Sequence, residues 1–338
     1  MLTATYRWID RNILELGREL RLSYLPPLMV YMAAGISGLT GIVGTFFVKE
    51  YLGLPASFLA ALGFWAGIPW ALKMPLGHLV DLLWRWKSWL IYLGALLISV
   101  SLLIMVGLLS GWPAMAAIIP AEAWFILSTL LAPVGYVLQD AVADAMTVEA
   151  VPRVDEKGAP IDPATRKLMN TTMQTLGRVA IIGGSVLVAF INLYLFTGVH
   201  RLPPAEIALI YRNVYLMALA IPLISVLGVV SAALIRRRSA RRLRRQGYTR
   251  KQVEAMLSLR GEPTPVNWGI LGGSLLFVIF TLAVGLGGMP YSEEIVFAGS
   301  LAIVAFLIVK LTRALDPEAR ATLVGTAVVI FVFRAIPS

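Results

Sequence analysis

Long apolar stretches follow one another along most of this chain, and short polar connections separate them. Each stretch runs for roughly 20 residues, the length of helix that crosses the hydrocarbon core of a bilayer. They lack the alternation over about ten residues that marks a membrane β-strand. The pattern therefore predicts an all-α membrane protein with about nine transmembrane helices. These predicted spans 1 to 9 cover residues 25–48, 57–80, 88–109, 123–149, 169–196, 212–235, 268–289, 293–312 and 321–338.

The composition excludes several classes of protein. The 338 residues are 58% hydrophobic and 14% charged, and the mean hydropathy is +0.79. Soluble domains are about 45–50% apolar and about 25% charged, and disordered chains are poorer still in apolar residues. The absence of cysteine excludes disulfides and thiol catalysis. The two histidines, His78 and His200, lie too far apart in sequence to suggest a metal site. We therefore expect neither a metal nor a cofactor.

Basic residues are divided unequally between the two ends of the predicted spans. Of the 29 Lys and Arg residues, 23 lie on the side that carries the N-terminus, three on the other side and three inside spans. Lysine and arginine accumulate in the cytoplasmic loops of membrane proteins. The net charge of +10 thus reports topology and predicts a cytoplasmic N-terminus.

The densest basic segment, RRRSARRLRR, covers residues 236–245. We interpret it as an anchor for anionic lipid headgroups, and we expect no nucleic-acid partner. Thr249 and Gln252 follow with the spacing of a capping box, which predicts a short surface helix that Gly261 and Pro263 end. Residues 8–20 predict a second amphipathic surface helix, within an N-terminal tail of residues 1–24.

Three charged residues inside spans are the strongest functional signal. Lys73 in span 2, Asp140 in span 4 and Arg178 in span 5 each lie eight or nine residues from a predicted cytoplasmic helix end. At 1.5 Å per residue this depth is about 12–14 Å, close to the bilayer centre. Asp144 follows Asp140 by one helical turn, on the same face. Two hypotheses fit: ion pairs that only fix helix packing, or the wall of a cavity for an anionic ligand.

The end of span 2 carries a second charged motif. Gly77, Asp81, Arg85 and Lys87 resemble the loop after helix 2 of major facilitator transporters, which forms a cytoplasmic gate. Leu82 and Trp84 replace a basic residue and a glycine of that pattern, and Arg85 and Lys87 also suit ordinary cytoplasmic charge. Glycines spaced through span 1 (Gly35, Gly38, Gly41, Gly44) predict close helix contacts, and prolines in spans 2 and 4 (Pro69, Pro75, Pro133) predict kinks.

Two stretches together resemble the folate–biopterin transporter family, a branch of the major facilitator superfamily. PWALKMPLGHLVD carries Pro69, Trp70, Lys73, Gly77 and Asp81 and is similar to the helix-2 signature P-W-x-x-K-x-x-x-G with its closing Asp. DAVADAMTVE, residues 140–149, is similar to the end of helix 4 in the same family. The resemblance covers about residues 22–235.

The resemblance implies a fold, a set of site residues and a function. It implies a major-facilitator-like bundle in a bacterial inner membrane. Substrate-binding or proton-coupling residues would be Lys73, Asp140, Asp144 and Arg178. Gating residues would be Gly77, Asp81, Arg85, Lys87 and Glu149. The implied function is secondary uptake of folates, pterins or other small organic anions, often with a proton.

The family architecture, twelve helices in two halves, sets the expected domain organisation. Residues 25–235 would form the first six-helix bundle, 236–266 a basic cytoplasmic linker and 267–320 an extra helix pair. Residues 321–338 would be the first helix of an incomplete second bundle, so we expect a chain truncated at its C-terminus.

Two other functions stay open at this point. One is a non-transporting membrane assembly factor of the same superfamily. The other is a Mg²⁺-dependent membrane prenyltransferase, because Asp140 and Asp144 have the spacing of a metal–diphosphate motif. A second acidic cluster that such enzymes need is missing, and we expect no enzyme.

Overall fold

The structure is a computed structural model that describes residues 20–155, 158–257, 265–287, 290–313 and 315–335. The regular elements among these residues are helices. Three expectations lie outside the described residues: nearly all of the N-terminal amphipathic helix, the stop at Gly261 and Pro263, and the side chain of Arg334.

Seven helices among the described residues are long and apolar enough to cross a membrane, and they coincide with predicted spans 1 to 7. Their bounds are Leu22–Leu52, Ala56–Leu82, Lys87–Ser110, Ala121–Ala150, Pro163–Phe196, Pro204–Arg245 and Trp268–Gly285. Helices Ser292–Thr312 and Pro317–Ala335 form over predicted spans 8 and 9. A multi-pass membrane protein is thus supported, while the crossing by the last two helices stays a prediction.

Three of these spans are not single regular helices. Span 1 consists of Leu22–Tyr24, Leu25–Ile36, Ser37–Thr40, Gly41–Phe47 and Val48–Leu52, of which the first and third are 3₁₀ turns and the last is a π turn. Span 2 consists of Ala56–Ala71 and Lys73–Leu82, and span 6 of Pro204–Ala218 and Ala220–Arg245. Short helices Trp112–Ala116, Val199–Arg201 and Arg250–Leu257 lie in connections.

The chain divides into two compact units, Met1–Thr264 and Pro265–Ser338. In the first unit, spans 1, 3 and 4 are at the centre of the packing: span 3 packs along span 4, and spans 5 and 6 pack against span 1. In the second unit, helix Trp268–Leu286 packs against helix Ser292–Thr312.

Glycine allows the closest helix contacts in the first unit. A Cβ added at Gly35 would lie 2.2 Å from the carbonyl oxygen of Ile181, so spans 1 and 5 touch backbone to backbone. Gly94 and Gly135 make the equivalent contact between spans 3 and 4, where a Cβ on either would lie 2.6 Å from the other's carbonyl oxygen. The prediction for Gly35 is confirmed. It is wrong for Gly38 and Gly41, where an added Cβ meets nothing within 4 Å.

Span 6 continues further than the sequence predicted. Helix Ala220–Arg245 includes the whole basic segment, so the expected linker does not begin at residue 236 as a separate element. Leucine and arginine favour helix, and no glycine or proline interrupts residues 223–227 or 229–245. Gly247, with φ of 95°, then turns the chain. Thr249 and Gln252 cap the next helix reciprocally, at 2.9 and 3.4 Å, and this confirms the predicted capping box.

Candidate functional site

The charged site begins at a break in span 2. Pro69 and Pro75 flank the break, which falls at Leu72 with ψ of 3°. Proline has no N–H to donate, and its ring clashes with the carbonyl four residues earlier, so two prolines six residues apart favour an interruption between them. The predicted kink in this span is therefore found. Lys73 becomes the first residue of helix Lys73–Leu82.

Lys73 lies between two carboxylates of span 4. Its Nζ is 2.5 Å from Oδ2 of Asp140 and 3.0 Å from Oδ2 of Asp144. A cation at a helix N-terminus is unfavourable with the helix dipole, and the two carboxylates offset that cost. The predicted meeting of these three residues is observed.

The cluster is open on one side. Asp140 is almost buried, with 10% of its side chain exposed, whereas Lys73 and Asp144 are 39% and 51% exposed. Asp140 lies about 15 Å from the helix end at Ala150, near the middle of a 30 Å core, and Asp144 lies about 9 Å from the same end. The charged side chains of Lys73 and Asp144 are thus partly exposed inside a span, where a charge is costly.

Tyr31 of span 1 is a member of the site that the sequence reasoning missed. Its hydroxyl donates a hydrogen bond of 2.6 Å to Oδ1 of Asp144. The ring packs over Gly177, where an added Cβ would lie 2.8 Å from it. One signal was available: Tyr31 lies nine residues into span 1, which is the same depth as Lys73 and Asp140.

Arg178 of span 5 is placed near the cluster but not in it. The side chain is exposed, and among the described residues it forms no ion pair. Its charge acts electrostatically on Asp140 and Tyr31. Arg178 therefore contributes its charge to the expected balance of two cations with two anions, but no ion pair within the described part of the chain.

The predicted gating residues separate into two groups. Lys87 and Glu149 form an ion pair of 2.5 Å that joins the start of span 3 to the end of span 4. Lys87 is 9% exposed, and its Nζ lies 3.5 Å from the centre of the Trp84 ring. The tryptophan that departs from the major facilitator pattern thus covers the buried lysine.

Asp81, Arg85 and Gly77 make no such contact within the part of the chain that the structure describes. Asp81 and Arg85 are exposed. An added Cβ at Gly77 would meet nothing within 4 Å, so no close helix contact depends on this glycine.

A pocket of about 510 Å³ opens beside the Lys87–Glu149 pair. Arg85, Arg236 and Glu254 contribute charges to its wall, together with apolar residues of spans 1, 4 and 6. The basic end of span 6 therefore lies at the same end of the bundle as the predicted gate.

Comparison with protein-family models, with curated proteins and with solved structures finds no match to this chain.

Proposed function

We propose that the protein is a secondary active transporter of the major facilitator type, which takes up folate- or pterin-like or other small organic anions by alternating access with protons. The observation that carries this proposal is the half-exposed cluster of Lys73, Asp140 and Asp144 in the middle of apolar helices. A half-exposed lysine can exchange a carboxylate for a ligand, whereas a fully enclosed one would be left as an unpaired buried charge.

The cationic groups of this site suit an anionic ligand. Lys73 has one partly open side, and Arg178 is exposed nearby without an ion-pair partner among the described residues. Arginine and lysine form charge-assisted hydrogen bonds with carboxylates, and arginine often binds them with two parallel bonds. The glutamate tail of a folate, or any compact carboxylate, offers the matching acceptors.

The carboxylates explain how a proton is coupled to the ligand. Asp140 and Asp144 hold Lys73 in the unliganded protein. When Lys73 turns to an anion, an uncompensated carboxylate remains in a medium that opposes charge. Uptake of one proton restores neutrality, and the Tyr31 hydroxyl is in place to keep Asp144 oriented.

This arrangement also argues against the metal-dependent alternative. Lys73 Nζ occupies the space between Asp140 and Asp144 where a Mg²⁺ ion of a prenyltransferase would bind. A lysine there repels a cation and attracts a diphosphate only after losing its carboxylate partners.

The basic end of span 6 supports a second part of the proposal, which is contact with anionic lipid headgroups. Seven arginines between residues 236 and 245 are exposed on this helix. Each basic residue near an anionic surface contributes about 1 kcal/mol of attraction. Vesicles containing phosphatidylglycerol should therefore stabilise the protein more than neutral vesicles, and 0.5 M salt should remove the difference.

The main test is uptake by the protein reconstituted in proteoliposomes, with folate, pterin and unrelated carboxylates as substrates and an internal pH dye. Lys73→Met should lower uptake of the active substrate by about 10- to 150-fold, since a charge-assisted hydrogen bond is worth about 1.5–3 kcal/mol. The matched control is Lys167→Met, which removes an exposed lysine from the start of span 5 and should leave uptake unchanged.

The double variant Lys73→Met/Asp140→Asn separates transport from packing. It removes both charges of the closest pair, so a purely structural pair would be replaced without loss of activity. The proposal expects a folded double variant that does not transport. Normal uptake by the double variant would mean that the pair only fixes helix packing. Wild-type protein that shows neither uptake nor substrate-dependent stabilisation, but co-purifies with a stable membrane partner, would favour the assembly-factor function instead.

A further inference from the structure

A second pocket lies between spans 1, 5 and 6, at the end of the bundle opposite the Lys87–Glu149 pair. Its volume is about 820 Å³, within the range of about 300–1,000 Å³ that is typical of ligand pockets. Ile42, Phe46 and Glu50 line it from span 1, Asn192 and Phe196 from span 5, and Tyr211 from span 6.

Glu50 and Asn192 mark the end of this pocket that lies near the helix ends, two and four residues from Leu52 and Phe196. Ser185 lies deeper, and its hydroxyl donates to the backbone oxygen of Ile181. Ile42 and Val188 lie deeper, about 12 Å and 6 Å further along their helices. The pocket therefore matches a molecule with a polar head at the membrane surface and an apolar chain towards the centre.

The head end of the pocket contains one buried acceptor without a donor. Asn192 is only 8% exposed, and its Oδ1 has no hydrogen-bond partner among the residues that the structure describes. A buried acceptor without a donor is unfavourable, so an occupant that donates a hydrogen bond is favoured. The Glu50 carboxylate is exposed in a π turn of span 1 and accepts a long hydrogen bond of 3.4 Å from the Tyr211 hydroxyl.

The charge at this end selects the class of ligand. A carboxylate beside an unsatisfied amide oxygen attracts an ammonium group that still carries N–H donors, and it repels the anions proposed for the Lys73 cluster. Two cations, Lys49 and Arg212, are the sequence neighbours of Glu50 and Tyr211. They place positive charge at the same end of the bundle for a phosphate group.

We propose that this pocket binds an ethanolamine phospholipid, with its ammonium group between Glu50 and Asn192 and one acyl chain along Ile42 and Val188. The site is separate from the transport site in position, charge and ligand class. The occupant is a lipid of the surrounding bilayer. Binding of a soluble cationic solute in its place would contradict this assignment.

The test uses native mass spectrometry of the purified protein with phosphatidylethanolamine or phosphatidylcholine of identical acyl chains. The two lipids have the same net charge, but the choline ammonium has no N–H. Wild-type protein should retain the ethanolamine lipid at least tenfold more strongly, which corresponds to about 1.4 kcal/mol. Glu50→Gln should reduce this preference to less than threefold.

Asn192→Leu distinguishes binding from a structural role. Leucine has a similar size and no polar group to desolvate, so this variant should unfold at the same or a higher temperature than wild type in lipid-free detergent. It should also lose most of the stabilisation that phosphatidylethanolamine adds. Asn170→Leu is the matched control, because Asn170 is exposed at the other end of span 5 and the change should not alter lipid retention.

Three results would overturn the proposal. They are equal retention of both lipids by wild type, unchanged retention in Glu50→Gln and Asn192→Leu, and displacement of the lipid by a soluble amine at micromolar concentration. None of these readouts requires transport activity, so their outcome is independent of the proposed function.

Discussion

Two lysine–carboxylate pairs join span 4 to its neighbours, and they differ in exposure rather than in bond length. Both closest N–O distances are 2.5 Å, and the two acidic residues, Asp140 and Glu149, lie nine positions apart on one helix. Lys73 is 39% exposed and has two carboxylate partners, whereas Lys87 is 9% exposed and has one.

The difference shows why distance alone does not reveal the role of an ion pair. The Lys87 charge depends on Glu149, because only 9% of the lysine side chain is exposed and the Trp84 ring covers its Nζ. The Lys73 charge can exchange Asp144 for water or for a ligand without becoming buried and unpaired. We therefore interpret Lys87–Glu149 as a fixed helix contact and Lys73 as an exchangeable binding group.

The largest expected effect comes from removing a carboxylate at the buried pair. Glu149→Gln should lower the free energy of unfolding by about 3 kcal/mol, since the buried Lys87 charge is left without its counter-ion. Asp140→Asn is the matched change at the Lys73 pair. It should cost about 1 kcal/mol or less, because the half-exposed Lys73 keeps Asp144 and water as partners. Thermal and denaturant unfolding in detergent measure both. Equal losses would break the comparison.

An intermediate effect is expected for ligand binding. Asp144→Asn removes a carboxylate that competes with an anion for Lys73, so the affinity for the transported anion should rise about tenfold, or about 1.4 kcal/mol. Proton uptake that accompanies transport should fall in the same variant. Titration calorimetry gives the affinity. Glu149→Gln should leave the affinity for the anion unchanged. A similar increase in affinity in Glu149→Gln would remove the distinction between the two pairs.

A smaller effect is expected from the ring that covers Lys87. Trp84→Leu keeps an apolar side chain but removes the cation–π contact, which is worth about 0.5–2 kcal/mol. The loss should appear in the free energy of unfolding. If it persisted in a Lys87→Met background, the ring would act by packing alone, so a double-mutant cycle is the informative measurement.

The smallest effect is expected at Tyr31. Tyr31→Phe removes one hydrogen bond to a half-exposed carboxylate, which water replaces, so stability should fall by about 0.5 kcal/mol. Substrate affinity should change by less than about threefold. A much larger loss of transport with unchanged affinity would assign the Tyr31 hydroxyl to the path of the proton.

Much of the helical architecture could be predicted because hydrophobic length is a direct physical requirement of a bilayer. The observed bounds of span 3, Lys87–Ser110, differ from the predicted 88–109 by one residue at each end. The departures of span 1 from α-helix could not be read in the same way. A run of small and apolar residues fits α, 3₁₀ and π geometry alike until its neighbours are known.

The site could be predicted only where charge interrupts an apolar run. Lys73 and Asp140 are visible for this reason, and counting residues from the helix ends placed them at one depth. Tyr31 is hidden because a tyrosine among apolar residues resembles an ordinary core position. The pairing of Lys87 with Glu149 was also hidden, since the sequence identifies both as gating candidates without showing that they meet.

Helix Ala220–Arg245 has a mechanical consequence. Its 26 residues extend about 39 Å, which exceeds the thickness of the hydrocarbon by about 9 Å. The arginine-bearing end projects past the hydrocarbon but is also packed, because Leu243 is only 2% exposed. A tilt of span 6 would therefore carry the residues packed on Leu243 with it, so the movement of the bundle and of its basic surface would be coupled.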